Sequence, residues 1–332
     1  MPASATARVS DLPREVNVVV MRISVLTPLL LLCLPTCVVP VEYEPWSVST
    51  LRLASSVEQS GENLSTALLG YFHPGSEEYK AARQLGFDLQ QEYARQVMAW
   101  RALEAYLADV DVAISRRAFQ THPVRGISKA FHELHIHLLQ TGLAGSFGIT
   151  VEQHQAATLR IMEANSVVAA MEAANPVIAI LCENLSTACA GLVDELEAQE
   201  MVALDLLASQ WRKELAVREV LLQRQDRLRD AFAMVAAGAG TVSGEPAADL
   251  VEVGKLLAAN EESFQLYARQ RRGLSETFRA HANFARKSSH AILEWGIGHR
   301  EVLKALQRGD NHANLRLFNA SVAELSHETI QR

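Results

Sequence analysis

The sequence predicts an all-α protein, an elongated helical bundle with long antiparallel coiled-coil helices, and three observations lead to this prediction. The 332 residues are 49% hydrophobic but only 6% aromatic, and their 17 glycines and 10 prolines are few for a turn-rich β protein. Two long stretches keep a seven-residue hydrophobic repeat, which is typical of helices that pack along a seam. Four prolines punctuate the helical patterns, at Pro74, Pro123, Pro176 and Pro246.

The first 45 residues differ from the rest because they contain six of the ten prolines. Within them, Met21-Arg22 precedes about twelve mostly apolar residues, fewer than the roughly 20 that a bilayer-spanning helix needs. A basic residue followed by a short apolar run is typical of a signal peptide. We therefore expect Met21 rather than Met1 to be the natural start, with residues 1–20 as an upstream extension of the reading frame.

The apolar run ends in Leu34-Pro35-Thr36-Cys37 and resembles the lipobox of bacterial lipoproteins, in which a leucine stands three residues before a lipidated cysteine. Pro35 and Thr36 depart from the small residues usual in that motif. The resemblance implies that Cys37 is lipidated and that residues 1–37 combine the extension with a signal peptide. It also implies that a tether, 38–46, holds the protein at the periplasmic face of the outer membrane or at the cell surface. Ordinary cleavage nearby and no cleavage are the alternatives.

Residues 47–332 are predicted to form a single helical-bundle domain. Thr150 and Gln153 match a helix-capping box, and Asn175-Pro176 is interpreted as opening a long helix, with proline in its first turn. Cys182 and Cys189 lie seven residues apart on that helix, about 10 Å, so they are expected to be buried thiols rather than a disulfide. The main predicted helices are 47–72, 76–120, 177–236 and 246–308, with a short helix around residues 132–137.

The seam of the last long helix is interrupted by polar side chains. In coiled coils, such polar layers fix the register and the number of helices. A polar ligand pocket inside the bundle is the alternative interpretation. The interrupting residues are Asn260, Arg271, His281, Ser288 and His299.

A histidine-rich segment on the short helix is the candidate metal site. His132 and His135 are three residues apart and share one helix face, whereas Glu133 and His137 share another. Imidazole and carboxylate groups at such spacings bind zinc, copper or iron. Because the four residues are split between two faces, a solvated cluster is the alternative.

Basic side chains cluster in the second half of the chain, although the net charge of the whole chain is −7. This acidic balance argues against a nucleic-acid partner. The cluster predicts a docking patch for an anionic partner, with a salt-bridged solvated face as the alternative. Its residues are Arg269, Arg271, Arg272, Arg279, Arg286 and Lys287.

No phosphate-binding glycine loop, zinc ribbon, haem-attachment motif or hydrolase nucleophile elbow occurs in the sequence. We therefore expect a non-enzymatic protein without a cofactor that scaffolds or binds at the bacterial cell envelope. Expected partners are the membrane surface, an envelope protein or cell-wall component, or a second copy paired through the coiled coil. The alternatives are a metal-binding bundle and an α-helical pore-forming protein that inserts an apolar hairpin, residues 164–193.

Overall fold

The structure, a computed structural model, describes residues 44–115, 126–133, 136, 150–238, 246–309 and 313–330, all within the unit Pro40–Arg332. These residues contain helices and no strand, which confirms the predicted all-α class. A short helical stretch, 126–133, accompanies seven longer helices. They are α1 Glu44–Leu69, α2 Glu77–Ser115, α3 Val151–Glu163, α4 Val167–Gln210, α5 Arg212–Ala236, α6 Pro246–Arg308 and α7 Arg316–Ile330.

Helices α1, α2, α4 and α6 form an antiparallel four-helix bundle in which each helix packs on two neighbours. Hydrogen bonds fix the directions. Tyr71, two residues after the end of α1, pairs with Thr277, whereas Tyr106 late in α2 pairs with His299. Helix α2 therefore runs parallel to α6, and α1 runs antiparallel to it. Helix α3 packs on α4, and α7 packs on α1 and α6.

The predicted seam of α2 is the buried face of that helix. An added Cβ at Gly86 would stand 2.9 Å from Oγ of Ser65, so the glycine allows α1 and α2 to approach closely. The supercoil that the seven-residue repeat predicts stays a prediction. The buried seam positions are Ala82, Gly86, Leu89, Tyr93, Gln96, Trp100, Leu103, Leu107 and Val110.

The interpretation of Pro176 as a helix start is wrong, because α4 runs through it without interruption. The helix begins after Ser166, whose side chain accepts a hydrogen bond from the backbone N–H of Ala169. An interior proline costs about 3 kcal/mol. Burial offsets this cost, since the apolar stripe continues across the proline at Ala170, Met171, Ala174, Val177, Ile178 and Leu181.

The same continuity corrects the predicted apolar hairpin at 164–193, because Val167–Gln210 is one helix with no reversal. The predicted helix 177–236 is in turn divided at Trp211, which has backbone angles φ −96° and ψ 12° between α4 and α5. The capping box at the start of α3 is confirmed. Thr150 Oγ1 accepts from the N–H of Gln153, and the Gln153 side chain accepts from the N–H of Thr150.

Helix α1 begins at Glu44, inside the range expected as a tether, and Trp46 is already in the core. The predicted signal peptide, its upstream extension and Cys37 lie outside the described residues.

Candidate interaction surface

A two-helix arm, defined as α5 together with residues 246–270 of α6, extends past the four-helix bundle. The α1–α2 turn lies level with the base of this arm, because the backbone N–H of His73 donates to Gln210 and the His73 ring lies 6.4 Å from that of Trp211. Beyond that level α5 packs on α6, with slight contact to the end of α4. Among the described helices, the first half of α6 therefore has one main neighbour there, α5.

The seam of the arm is only half covered. No residue of α5 is buried, and between residues 248 and 270 of α6 only Val253 is buried. Leu221, Leu257 and Phe264 lie in the seam and are half-buried. Nine large hydrophobic side chains of the arm are at least 40% exposed: Val217, Val220, Leu222, Phe232, Met234, Val235, Val251, Leu256 and Leu266.

Two ion pairs mark the two flanks of the arm. On one flank the guanidinium of Arg218 lies 2.8 Å from the Glu261 carboxylate and 3.8 Å from the centre of the Phe264 ring. On the other flank Arg224 lies 3.9 Å from Asp249. Because each helical residue advances by about 100°, these pairs show on which flank an exposed residue beside the seam lies.

The flank with Arg224 and Asp249 is the more apolar one. Val220 of α5 and Leu256 of α6 lie on it between the levels of the two ion pairs, and they are 64% and 44% exposed. The opposite flank is mainly polar but includes Leu222 and Val251, which are 41% and 60% exposed. We name the first side the apolar flank, and it consists of Val217, Val220, Val235, Val253, Leu256 and Tyr267.

Asn260 lies on the same side of α6 as the apolar flank. Its side-chain oxygen is buried and has no hydrogen-bond partner among the described residues. A buried, unpaired polar group costs about 1–3 kcal/mol. Asn260 therefore brings an unpaired acceptor, its side-chain oxygen, into an apolar seam.

The two helices of the arm carry opposite net charges. Helix α5 has six basic and four acidic residues, whereas residues 246–270 of α6 have four acidic and two basic residues. Two of these opposite charges are already paired within the arm, Arg218 with Glu261 and Arg224 with Asp249. The arm as a whole therefore presents a basic helix beside an acidic one.

Polar layers cross the core of the four-helix bundle below the arm. His299 is fully buried, and its Nε2 lies 3.0 Å from the Tyr106 hydroxyl and its Nδ1 lies 3.1 Å from Oδ1 of Asn175. Burial, reinforced by the charge of Arg300, lowers the pKa of His299 to about 3. Burial also raises the pKa of Tyr106 well above its ordinary value. Both groups are therefore neutral at pH 7.

A second layer contains His281, whose Nδ1 lies 2.9 Å from the Ser60 hydroxyl. Ser288 is also buried, which agrees with the predicted polar interruptions of the seam. Arg271 does not belong to that seam, because it is exposed where the arm joins the bundle. A long charged side chain reaches water easily from such a junction.

The structure describes only part of the predicted metal site. His132 and Glu133 are both exposed, and Lys129 lies 3.4 Å from Glu133. The side chains of His135 and His137 lie outside the described residues. Among the residues that are described, no group of three or more histidine, cysteine, aspartate or glutamate side chains could hold a metal ion. The metal site stays a prediction.

The predicted anionic-partner patch is divided between paired and exposed side chains. Arg286 lies 2.7 Å from Glu197, and Lys287 lies 2.7 Å from Glu324. Arg279 and Arg286 line a groove of about 330 Å³ between α4 and α6, with Glu197 and Glu200 opposite them. The other members, Arg269, Arg271 and Arg272, are exposed near the base of the arm.

The two cysteines of α4 are buried free thiols, as predicted. Burial raises the pKa of Cys182 and Cys189 to about 12, so both are protonated at neutral pH. Cys189 also donates to the side-chain oxygen of Gln96, at 3.0 Å. The structure places both thiols in the packing of the core.

Within the described ranges, α4 is the one helix that is long and apolar enough to cross a membrane, and half of its most apolar window is buried in the bundle. Comparison with known proteins adds no relative, because no protein family, curated protein or solved structure matches this chain.

The sequence analysis missed the apolar flank. Its signal is weak, since Val217, Val220 and Leu256 lie beside the seven-residue repeat rather than in it. The incomplete burial of the seam that makes this flank notable is visible only in the structure.

Proposed function

We propose that this chain is an exported, lipid-anchored, non-enzymatic protein that scaffolds or binds at the bacterial cell envelope and docks through its arm. The observation that carries the docking role is the half-covered seam of the arm. The leader sequence and Cys37 are the support for export and anchoring.

The physical argument starts from the cost of exposed apolar surface. Burying such surface stabilises by about 25 cal/mol per Å², and a run of exposed apolar side chains on one side of a helix pair is typical of an interaction site. Helix α6 runs without a break from the arm into the bundle, and Trp211, where α4 ends, donates to Gln270 at 2.9 Å. The arm is therefore joined directly to the bundle.

The anchoring half of the proposal is tested by intact mass spectrometry of the protein from the membrane fraction of an expressing bacterium, beside a Cys37→Ser variant. We expect an acylated chain that starts at Cys37, and an unlipidated variant that leaves the membrane fraction. An unmodified mass with cleavage elsewhere would remove the anchor from the proposal.

The docking half is tested with a photo-crosslinking amino acid at Val220 on the arm and, as a control, at Ala190, an exposed position of α4 in the bundle. We expect a discrete crosslinked species from position 220 in intact cells and none from position 190. Equal crosslinking at both positions, or none from position 220, would argue against the arm as the docking surface.

A pore-forming role is the second candidate, and the length and apolar character of α4 favour it. Helix α4 would have to leave the bundle, which gives a direct test. The hydroxyls of Ser186 on α4 and Ser289 on α6 are 2.8 Å apart, so a double Ser→Cys variant could crosslink the two helices. A pore-former would release dye from liposomes only after reduction of this disulfide. Two results would contradict a pore-forming role: equal dye leakage from the crosslinked and the reduced protein, or no leakage from the reduced protein.

A further inference from the structure

We infer that the apolar flank of the arm binds the same flank of a second copy of this chain, so that two arms complete a four-helix bundle. The inference rests on the proposed role of the arm as a docking surface and names its partner. Three independent features of the arm support it: the burial pattern, the charge distribution and the position of Asn260.

The burial pattern indicates how many helices are missing. Along α6 the same seven-residue repeat is covered completely where three other helices of the bundle surround it, as at Phe278 and Ile292, which are 1% and 0% exposed. In the arm, Leu257 and Phe264 occupy that repeat and are only half-buried beside α5. Two more helices on the apolar flank would give the first half of α6 the surroundings that its second half already has.

The charges of the arm favour a second copy as the source of those helices. A two-fold axis parallel to the arm places each α5 against α6 of the other copy. Every edge of the resulting four-helix bundle then joins the basic α5 to the acidic first half of α6. Opposite charges across an interface favour this register and disfavour pairings of α5 with α5. One surface is thus complementary to itself.

Asn260 lies where such an interface needs a polar pair. The same axis places Asn260 of both copies at one height on diagonally opposed helices, where the two side chains can bond to each other across the core. A single buried asparagine in a coiled-coil seam specifies register and oligomeric state in this way. Asn260 is half-buried in the single chain and its oxygen has no partner among the described residues, so rotation of the amide would let the two asparagines bond across the interface.

The chemistry of α5 argues against a lipid bilayer as the occupant. Ten of its 25 residues are charged, and Arg224 lies on the apolar flank beside Val220 and Val217. Inserting that flank into hydrocarbon would bury charged groups at high cost. An aqueous, charge-complementary helix pair satisfies both the apolar and the charged residues.

The first test is the solution mass of the purified chain, measured over a wide concentration range by sedimentation equilibrium, with two matched variants. Val220→Glu places a carboxylate on the apolar flank, and Val251→Glu places one on the opposite flank at similar exposure, 60% against 64%. Both side chains are exposed, so neither change disturbs the core of the monomer. We expect a dimer for the parent chain and for Val251→Glu, and at least tenfold weaker association for Val220→Glu, about 1.4 kcal/mol.

A second variant tests the asparagine pair. Asn260→Asp preserves shape but brings two carboxylates together in the proposed core, so we expect the dimer to dissociate at neutral pH and to re-form when the carboxylates are protonated. Gln91→Glu makes the same amide-to-acid change on an exposed face of α2 and is expected to leave the dimer intact. Equal effects of the two variants would contradict a role of Asn260 in the interface.

Other outcomes overturn the inference without removing the proposed function. A parent chain that stays monomeric, or that floats with anionic lipid vesicles in a manner blocked by Val220→Glu, shows that the arm has a different occupant. If a monomer still forms an arm-specific crosslink in cells, docking survives and self-association does not. If the chain forms neither a dimer nor an arm-specific crosslink, both the docking role and the inference are wrong. The masses of the parent chain and of the Cys37→Ser variant still test the lipid anchor independently.

Discussion

The two halves of α6 show how one sequence pattern can lead to two environments. The helix is 63 residues long and keeps the same seven-residue repeat throughout. Its second half lies in the four-helix bundle with its seam largely buried, whereas its first half packs mainly on α5 among the helices that the structure describes. The repeat therefore defines which side of the helix is apolar, and the number of neighbours depends on where the other helices end.

Polar side chains interrupt the seam in both halves of α6. In the bundle, His281 and His299 each have a hydroxyl partner from a neighbouring helix, Ser60 and Tyr106. In the arm, the oxygen of Asn260 has no partner among the described residues. The hydroxyl of Ser288 in the bundle is likewise buried without a partner among the described residues, so the two histidines are the interruptions whose partners join neighbouring helices.

The largest expected difference comes from removing one aromatic side chain in each half. Trp295 is fully buried, and its ring centre lies 5.2 Å from that of Trp46. Its indole N–H donates to the Thr50 hydroxyl. We expect Trp295→Ala to lower the free energy of unfolding by about 3–5 kcal/mol. Phe264→Ala in the half-covered arm should lower it by about 1–1.5 kcal/mol, since roughly half as much surface returns to water. Urea denaturation measures both, and equal losses would contradict the division of α6 into two environments.

Acid should destabilise the bundle before it affects the arm. Burial lowers the pKa of His299 to about 3 in the folded chain, whereas the unfolded group keeps its ordinary value of 6.5. Between these values the unfolded state binds the extra proton, so the stability that is present above pH 6.5 falls as the pH falls, by up to about 1.4 kcal/mol per pH unit.

The measurement is urea denaturation at a series of pH values, with His299→Gln as the non-titrating control. The parent should lose stability more steeply than the variant between pH 6.5 and about 4. The arm contains no histidine, so the mass of the dimer should stay constant between pH 7 and 6. Parallel pH profiles for parent and variant would show that His299 is not the buried neutral group described above.

The comparison also separates what sequence could predict from what it could not. The seam positions of α2 and the interruptions at His281, Ser288 and His299 follow from periodicity, because each depends on residues of one helix. The partners of those histidines depend on alignment between helices about 190–220 residues apart in the chain, as Ser60 with His281 shows. No local pattern contains that alignment.

Two errors at helix boundaries have the same physical origin. Pro176 predicts a break from local propensity, but burial of α4 on both sides of it outweighs the missing hydrogen bond. Trp211 is not a helix-breaking residue, yet the helix is interrupted where this side chain contacts His73 of the α1–α2 turn and Gln270 of α6. For the candidate site, composition predicted the basic cluster, whereas the apolar flank required knowledge of where α1 and α2 end.

Two glycines of α6 allow a smaller but cleaner test of the two halves. An added Cβ at Gly296 would stand 3.2 Å from Cβ of Cys182, whereas one at Gly254 would meet nothing within 4 Å. We expect Gly254→Ala to raise the free energy of unfolding by up to about 1 kcal/mol through helix propensity. Gly296→Ala should lower it by about 1 kcal/mol, because crowding exceeds the same gain. Thermal unfolding measures both changes. A stabilising Gly296→Ala would show that the packed half of α6 accommodates the added methyl group.

The smallest expected effects concern the ion pairs. Arg218 is 17% exposed and combines its pairing with Glu261 with a position over the Phe264 ring, whereas Arg286 is 53% exposed and pairs with Glu197. Arg218→Gln should therefore cost about 1 kcal/mol, and Arg286→Gln less than about 0.5 kcal/mol. Only the cost of the first should persist in high salt, because its ring contact is desolvated and the exposed pair is screened. If salt abolished both, the contact between Arg218 and Phe264 would contribute nothing, and the packing of α5 on α6 would depend on the seam alone.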